Sequence, residues 1–350
     1  MRLPDRLGSK LLVLALCWLI GIACRQQHRP WRDPARHRVR FVTVEEGVRL
    51  EELDWPGSGR PVVLLAGLGD TAHVFDDFAD RLSGSYRVCG ITRRGFGASS
   101  QPNFGYTEQR LADDVLQVLD SLKLAAPVLV GHSIAGDELT AIGSKHSDRI
   151  AGLVYLDAAA DPTDDYAEYD KLRAKLPDQV RFATPWLFAD APTLPEAAHR
   201  NDSIEAFQRW QIRRLGVAYP ESELRNSYEI FSNGSLGAYR TAQSIPQAIR
   251  AGGQKRDYSH IQAPMLVLTQ FPLSIEEQFK TYRPKNAGER AAIEEVYAAD
   301  AGFVRRRMQN VLMANAAVRV VEMPGAKHHV FLSNEAKVLQ EVRAFMAGLR

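Results

Sequence analysis

Apolar positions along the chain follow two alternating patterns. Short continuous runs rich in Val, Ile and Leu recur, and between them lie stretches in which an apolar residue returns every three or four positions. Runs such as 61–66 and 127–130 predict strands buried on both faces of a sheet. The stretch 107–122 predicts an amphipathic helix capped by Thr107. This alternation predicts an α/β fold with a doubly wound, mostly parallel sheet of about eight strands.

The same patterns place the individual elements along the chain. The first two strands are expected to be antiparallel and to turn at Glu46–Gly47. The predicted strands are 38–44, 48–53, 61–66, 86–91, 127–130, 150–156, 264–268 and 317–323. The predicted helices are 71–82, 107–122, the segment after Ser133, 288–314 and 335–349.

Between about residues 161 and 260 the pattern changes. Helical stretches there carry many charges, and no convincing strand pattern is present. These stretches are 165–176, 204–215 and 220–231. We therefore expect a helical cap at 161–260, inserted into a core made of 38–160 and 261–350. Caps commonly shape a substrate pocket and exclude water. Three aromatic residues are expected either to pack this cap or to line the pocket: Trp186, Phe188 and Trp210.

The first 24 residues have the composition of a targeting segment. Basic residues at positions 2, 6 and 10 precede an apolar run over 11–24, with small residues at 21–23. This pattern predicts a signal peptide at 1–24, a polar linker at 25–37 and a secreted, periplasmic or cell-envelope protein. Two alternatives stay open. Cys24 resembles the lipidated cysteine of a bacterial lipoprotein, and an uncleaved segment would anchor the chain in a membrane.

Composition narrows the range of partners. The chain has 350 residues, of which 25% are charged and 45% hydrophobic, with a net charge of +2. These values are ordinary for a globular protein, and no basic patch indicates a nucleic-acid partner. Only Cys24 and Cys89 would remain after cleavage, and Cys89 lies in a predicted strand, where we expect a buried thiol. A disulfide framework is therefore not expected.

The segment Val128–Gly136 carries the most specific chemical signal. An apolar run ends at Gly131, Ser133 follows two positions later, and Ala135 and Gly136 come after it. This is close to the G-x-S-x-G spacing of a nucleophile elbow, in which small residues permit a tight turn between strand and helix. Ala135 replaces the last glycine, and we interpret it as a tolerated variant. The turn would expose the Ser133 hydroxyl at the carboxyl end of a parallel strand.

Such a serine needs a nearby base and backbone N–H groups that bind an oxyanion. The loop after the last strand contains His328 and His329. We predict His328 as the base, with His329 as the rival, and surface histidines without a role as a third possibility. The predicted oxyanion donors are the N–H groups of Ile134, directly after the serine, and of Leu68, in the glycine-rich loop after the third strand. An ordinary strand-to-helix turn would explain that loop equally well.

With these motifs the chain resembles the α/β-hydrolase fold superfamily, in its capped esterase, peptidase and epoxide-hydrolase-like branch. The matching segments are 64–70, 92–99, 131–136 and 324–328, in the family's order. Together they are specific for the fold and not for a substrate. The chain departs from the family at Ala66–Gly67, where a His-Gly pair is usual. Arg93 and Arg94 would fix the loop that contains them or grip an acidic substrate.

The resemblance also implies an acidic member of a Ser-His-Asp triad. The family usually places it after the strand 264–268, where this chain has no carboxylate before Glu276 and Glu277. A subset similar to haloalkane dehalogenases has the acid at the end of the strand that follows the elbow, which here is Asp157. Asp157 is therefore the predicted acid. Asp161 and Glu276 remain alternatives, as does a purely structural role for Asp157.

These residues predict a serine hydrolase that cleaves a small ester or amide through an acyl-enzyme. Ser133 would be the nucleophile, His328 the base and Asp157 the acid. This chemistry requires no metal or organic cofactor. Two other interpretations stay open: a non-catalytic ligand-binding protein on the same fold, and a cofactor-free peroxidase or lyase that uses the same triad.

Overall fold

The computed structural model of the protein describes residues 31–159, 171, 174 and 201–349. The strands of this part of the chain are β1 (Arg38–Glu45), β2 (Val48–Trp55), β3 (Pro61–Leu65), β4 (Arg87–Ile91), β5 (Val128–His132), β6 (Gly152–Leu156), β7 (Tyr228–Ile230), β8 (Leu236–Tyr239), β9 (Met265–Phe271) and β10 (Val318–Pro324). The helices are α1 (Asp76–Ser83), α2 (Glu108–Ser121), α3 (Ala135–Lys145), α4 (Ile204–Leu215), α5 (Glu221–Ser227), α6 (Ser244–Gly252), α7 (Ile275–Thr281), α8 (Ala287–Ala314), α9 (Val330–Ser333) and α10 (Glu335–Ala347). None of these helices is both long and apolar enough to cross a lipid bilayer.

Eight of the strands form one sheet, in the order β1-β2-β4-β3-β5-β6-β9-β10. β2 pairs antiparallel with β1 and β4, and all other neighbours pair parallel. The predicted α/β fold with a mostly parallel sheet is therefore confirmed. Because β5, β6, β9 and β10 run parallel, their carboxyl ends lie at one edge of the sheet, where open α/β sheets place their ligands.

Successive residues of the central strands pack on opposite faces of the sheet. On β3, Val63 and Leu65 belong to a cluster with residues of α2, α3 and α8, whereas Val62 and Leu64 belong to a cluster with residues of α1, α9 and α10. This follows from the two-residue period of a strand. Helices on both sides leave no solvent-facing side for a polar residue, which explains the continuous apolar runs of the sequence.

Two local predictions concern Thr107 and Cys89, and both are confirmed. The Thr107 hydroxyl accepts a hydrogen bond from the backbone N–H of Arg110 at the start of α2. Cys89 is a free and fully buried thiol on β4. The core therefore depends on packing, and within the described residues no disulfide contributes.

The region predicted to be entirely helical also contains a hairpin. α4 lies where a helix was predicted, but the predicted helix at 220–231 ends at Ser227, and β7 and β8 form a two-stranded antiparallel sheet after it. The expectation of a region without strands was wrong, because Asn233–Gly234 is a strong hairpin signal and Gly234 has a φ of +84°. Trp210 stacks on Phe207, with ring centroids 5.4 Å apart, which favours packing over lining a pocket. The other expected cap residues Trp186 and Phe188, and most of the predicted helix 165–176, lie outside the described residues.

Candidate active site

The backbone turns sharply at Ser133, between β5 and α3. Ser133 has a φ of +56°, in the left-handed region that residues with a side chain rarely adopt. Its N–H donates to the carbonyl oxygen of Leu156 at 3.3 Å, which ties the turn to the end of β6. A strained residue at a strand-to-helix turn is the geometry of a nucleophile elbow, and it places the hydroxyl at the carboxyl edge of the sheet.

Small residues around Ser133 are required by close contacts. A Cβ atom at Gly131 would lie 2.8 Å from Leu139 and 3.0 Å from the Cβ of Ala135. At Gly136, an added Cβ would collide with the carbonyl oxygen of Ala158. Ala135 therefore fits at the motif's last position, and Gly136 is the glycine on which the helix packing depends.

His328 joins Ser133 to Asp157. Its Nε2 lies 2.8 Å from Ser133 Oγ, and its Nδ1 lies 2.7 Å from Asp157 Oδ2. The His328 side chain is 40% exposed, whereas that of Asp157 is 10% exposed. The hydroxyl and the imidazole are thus reachable by a small molecule, while the carboxylate lies behind them.

Asp157 has a firm position at the end of β6. Its φ is +48°, and its N–H donates to the Leu268 carbonyl at 2.7 Å. Oδ1 accepts from the backbone N–H of Gln270 at 3.0 Å and from the Thr269 hydroxyl at 3.2 Å. The end of β9 is where the family usually has its acidic residue. Here it supplies the hydrogen-bond donors that hold the Asp157 carboxylate. Glu276 is exposed at the start of α7, and Asp161 lies outside the described residues.

Arg93 holds the loop that was predicted to supply an oxyanion donor. Its guanidinium donates to the carbonyl oxygens of Ala66 at 2.9 Å and Gly67 at 3.3 Å, and it pairs with Glu138 on α3 at 2.6 Å. It therefore connects the end of β3 to the helix that follows the nucleophile. Arg94 pairs with Asp114 and Glu45 instead. Both side chains are buried and engaged with protein carboxylates, which favours the loop-fixing interpretation over contact with an acidic substrate.

The two residues predicted to supply the oxyanion donors share one packing environment. Leu68 and Ile134 both pack against the same apolar cluster, which includes Phe96 and Ile245. No acceptor for the N–H of either residue is found in the part of the chain that the structure describes. An oxyanion hole requires backbone N–H groups that have no other acceptor, so both residues stay candidates for this role.

A second cluster of polar side chains lies next to His328. His329 Nε2 is 3.0 Å from Asp70 Oδ2 and 3.1 Å from the Tyr219 hydroxyl. The partners of this ring are therefore different from those of His328. His132 Nε2 donates to the carbonyl oxygen of His328 at 3.1 Å. Complete burial, with the charges of His329 and His328 beside it, holds the pKa of His132 well below its ordinary value.

The sequence prediction missed several members of this network. Asp70 lies in a segment that resembles the family but received no predicted role, and Tyr219 and the backbone of Gln270 carry no recognisable motif. The structure explains the small residue at Gly67, where a Cβ would lie 2.7 Å from His132 Nδ1. A side chain there would displace the imidazole that packs beneath the oxyanion loop.

Sequence comparison then decides the family. A sequence model of the Alpha/beta hydrolase family matches residues 62–341. The chain belongs to the alpha/beta hydrolase family. The match covers the elbow, the oxyanion loop and the histidine loop.

Its relatives include hydrolases and haloperoxidases. The 2-(acetamidomethylene)succinate hydrolase of Mesorhizobium japonicum is 25% identical over 158 residues, which are 43% of this chain and 56% of that protein. The non-heme chloroperoxidase of Streptomyces lividans is 34% identical over 120 residues, 33% of this chain and 44% of that protein. The chain thus spans about half the length of the curated relatives it matches. The names of these relatives support the interpretation of this chain as an enzyme.

Solved structures share the fold over most of the chain. E-2-(acetamidomethylene)succinate hydrolase superposes with a TM-score of 0.62 at 19% identity, over 89% of this chain and 100% of that one. Bromoperoxidase from Bacillus anthracis gives a TM-score of 0.55 at 18% identity, again over 89% and 100%. At these identities the likeness is one of fold.

Proposed function

We propose that this member of the alpha/beta hydrolase family is a serine hydrolase that cleaves a small ester or amide. The observation that carries the proposal is the continuous hydrogen-bond chain from Ser133 through His328 to Asp157, at 2.8 and 2.7 Å. A nucleophile, a base within reach of it and a carboxylate that orients the base are the parts of a Ser-His-Asp triad. A ligand-binding protein has no need of this arrangement.

In the first half of the reaction Ser133 Oγ attacks the substrate carbonyl carbon, and its proton passes to His328 Nε2. The Nδ1–H of His328 donates to Asp157, which remains an anion and stabilises the imidazolium. The carbonyl oxygen becomes an oxyanion that accepts hydrogen bonds from the N–H groups of Leu68 and Ile134. The tetrahedral intermediate then expels the alcohol or amine, which leaves with the proton held by His328.

In the second half a water molecule replaces the leaving group. His328 takes its proton while the oxygen attacks the acyl carbon, and collapse of the intermediate returns the proton to Ser133 and releases the acid. Each residue ends in its starting state. The two half-reactions need no group beyond these side chains and N–H donors.

The haloperoxidases among the relatives favour one second candidate. If hydrogen peroxide replaced water in the second half, the released product would be a peroxy acid, which oxidises halide in solution. The same Ser133 acyl-enzyme would serve both reactions, so the two candidates differ only in the acceptor of the acyl group.

A panel of short-chain p-nitrophenyl esters and anilides tests the proposal, with a parallel assay that contains peroxide, bromide and a carboxylic acid. Wild-type protein should hydrolyse members of the panel, and Ser133→Ala should lose this turnover while its circular dichroism is unchanged. Ser144→Ala, on the same helix as the elbow but hydrogen-bonded to Thr140 and Asp257, is the matched control. Turnover retained by Ser133→Ala would overturn the proposal, and bromide oxidation without hydrolysis would favour the second candidate.

We also propose that 161–260 caps this site and that the chain is exported through residues 1–24, with a lipid tether at Cys24 as the alternative. The support is the composition of these segments: charged helical stretches at 161–260, and basic residues followed by an apolar run at 1–24. Mass spectrometry of protein isolated from its cell envelope and medium should find an N-terminus near Cys24, and an intact Met1 would contradict export by cleavage.

A further inference from the structure

Two buried side chains and one partly buried side chain converge on one point next to His328. Asp70 Oδ2 lies 3.0 Å from His329 Nε2 and 3.8 Å from His132 Nδ1, and the three atoms lie within 4.8 Å of one another. The exposed fraction of these side chains is 6%, 12% and 1%, respectively. They come from three elements: the oxyanion loop, the end of β5 and the histidine loop.

The tautomer of His132 leaves a lone pair at this point. Its Nε2 faces the carbonyl oxygen of His328, which can only accept, so the proton of the neutral ring is on Nε2. Nδ1 is therefore unprotonated, and no hydrogen-bond donor reaches it from the described residues. A buried lone pair thus faces the Asp70 carboxylate with no proton between them. This arrangement costs free energy unless a cation lies there.

The charge around this point also favours a cation. Asp70 and Glu223 are both buried carboxyls, and within the described chain neither makes an ion pair with a lysine or an arginine. Within the described residues, the Asp70 carboxylate therefore has only the imidazoles of His132 and His329 as ion-pair partners.

We propose that Asp70 Oδ2, His132 Nδ1 and His329 Nε2 bind a divalent transition-metal ion of the zinc type. Two imidazole nitrogens and a carboxylate oxygen are ligands that such an ion prefers, at about 2.0–2.2 Å. For tetrahedral bonds of this length, ligand atoms lie roughly 3.3 Å apart, close to the 3.0 and 3.8 Å found here. The ion takes the place of the proton between His329 and Asp70, and the neutral His329 ring then carries its proton on Nδ1.

The site would join the two loops on which the proposed reaction depends. Asp70 belongs to the predicted oxyanion loop, His329 follows the proposed base, and His132 precedes the proposed nucleophile. The Tyr219 hydroxyl, 3.1 Å from His329 Nε2, borders the remaining coordination position. The inference rests on these three ligands and does not depend on the hydrolase activity.

Titration of the chelator-treated full-length protein with Co²⁺ tests the proposal, because tetrahedral Co²⁺ absorbs strongly in the visible. We expect saturable binding of one ion per chain with tetrahedral absorption bands, and displacement of Co²⁺ by Zn²⁺. Asp70→Asn and His329→Gln should each weaken binding by at least about tenfold. Ser133→Ala should bind as the wild type does, which separates this test from that of the proposed function.

His260→Gln is the matched control, since His260 is exposed and paired with Asp257 on the surface. It should leave Co²⁺ binding unchanged. Absence of a saturable tetrahedral spectrum would overturn the proposal, because an ordered water would then be the partner of His132. Binding that persists undiminished in both folded ligand variants would also overturn it, by assigning the ion to other histidines. Circular dichroism of each variant establishes that it is folded.

Discussion

His328 and His329 are neighbours in one loop, yet they belong to different sites. Each imidazole has a carboxylate partner, Asp157 at 2.7 Å and Asp70 at 3.0 Å. The difference lies in the surroundings: His328 is 40% exposed and reaches Ser133, whereas His329 is 12% exposed and reaches Tyr219. A His–Asp pair alone therefore does not identify a catalytic base. What identifies it is a nucleophile on the other ring nitrogen and access for a substrate.

The largest expected difference is between the alanine variants of these two histidines. His328→Ala removes the proposed base, so kcat should fall on the order of 10⁶-fold, as when a triad member is lost. His329→Ala, assayed under the same metal-free conditions, should lower kcat far less, because its ring does not reach Ser133. Steady-state kinetics with one ester substrate measures both. Equal losses would show that the two sites are one functional unit.

The two carboxylates provide the next comparison. Asp157→Asn keeps the size of the side chain but removes the charge that orients His328, and kcat should fall by roughly 10⁴-fold. Asp70→Asn changes the neighbouring His329 site and should lower kcat much less. A fall below about tenfold in Asp157→Asn would move the role of the acid to Asp161 or Glu276.

Variants of the two buried arginines test whether Arg93 supports the predicted oxyanion loop or only stabilises the fold. Lysine lacks the planar fork of arginine, so Arg93→Lys cannot hold both loop carbonyls and Glu138. We expect kcat to fall by about ten- to a hundredfold with KM nearly constant, since displaced oxyanion donors weaken mainly the transition state. Arg94→Lys is the control, because Arg94 pairs with Asp114 and Glu45, whereas Arg93 donates to the loop carbonyls. Equal kcat values in the two variants would contradict this role for Arg93.

The smallest expected effect concerns stability against pH. The pKa of Glu223 is raised in the folded protein to about 8, from 4.5 in the unfolded chain, by burial and then by Asp70. The folded state therefore keeps a proton that the unfolded state releases, so this stabilisation is complete below pH 4.5 and is lost as the pH rises through about 8.

Glu223→Gln cannot titrate, so its free energy of unfolding should fall less between these pH values than that of the wild type. Urea unfolding at several pH values measures the slope. Glu221→Gln, on the same helix but partly exposed, should keep the wild-type slope. Parallel slopes for wild type and Glu223→Gln would show that Glu223 is charged in both states.

The sheet and the serine could be predicted because their signals are local. A strand buried on both faces produces a continuous apolar run, and the turn at Ser133 requires small residues at fixed spacing. The hairpin β7–β8 had a local signal as well, in Asn233–Gly234, but it lay among charged residues that favoured helices.

Contacts between distant segments could not be predicted in the same way. The carboxylate of Asp157 is held by β9, more than a hundred residues later in the chain, and resemblance to one subset of the family was the basis for its prediction. Asp70 and His329 are separated by a still longer stretch, and no local signal pairs one with the other. Which of two adjacent histidines faces Ser133 depends on the backbone path after Gly325, whose φ is +73°.

Covalent labelling with a fluorophosphonate probe, followed by peptide mapping, tests the central claim most directly. An activated serine reacts with the probe and an ordinary hydroxyl does not, so we predict a single adduct on Ser133 in wild-type protein. His328→Ala should suppress the adduct, and His329→Ala should retain it. Folded wild-type protein without an adduct on Ser133, or an adduct that His328→Ala leaves undiminished, would contradict a serine nucleophile activated by His328.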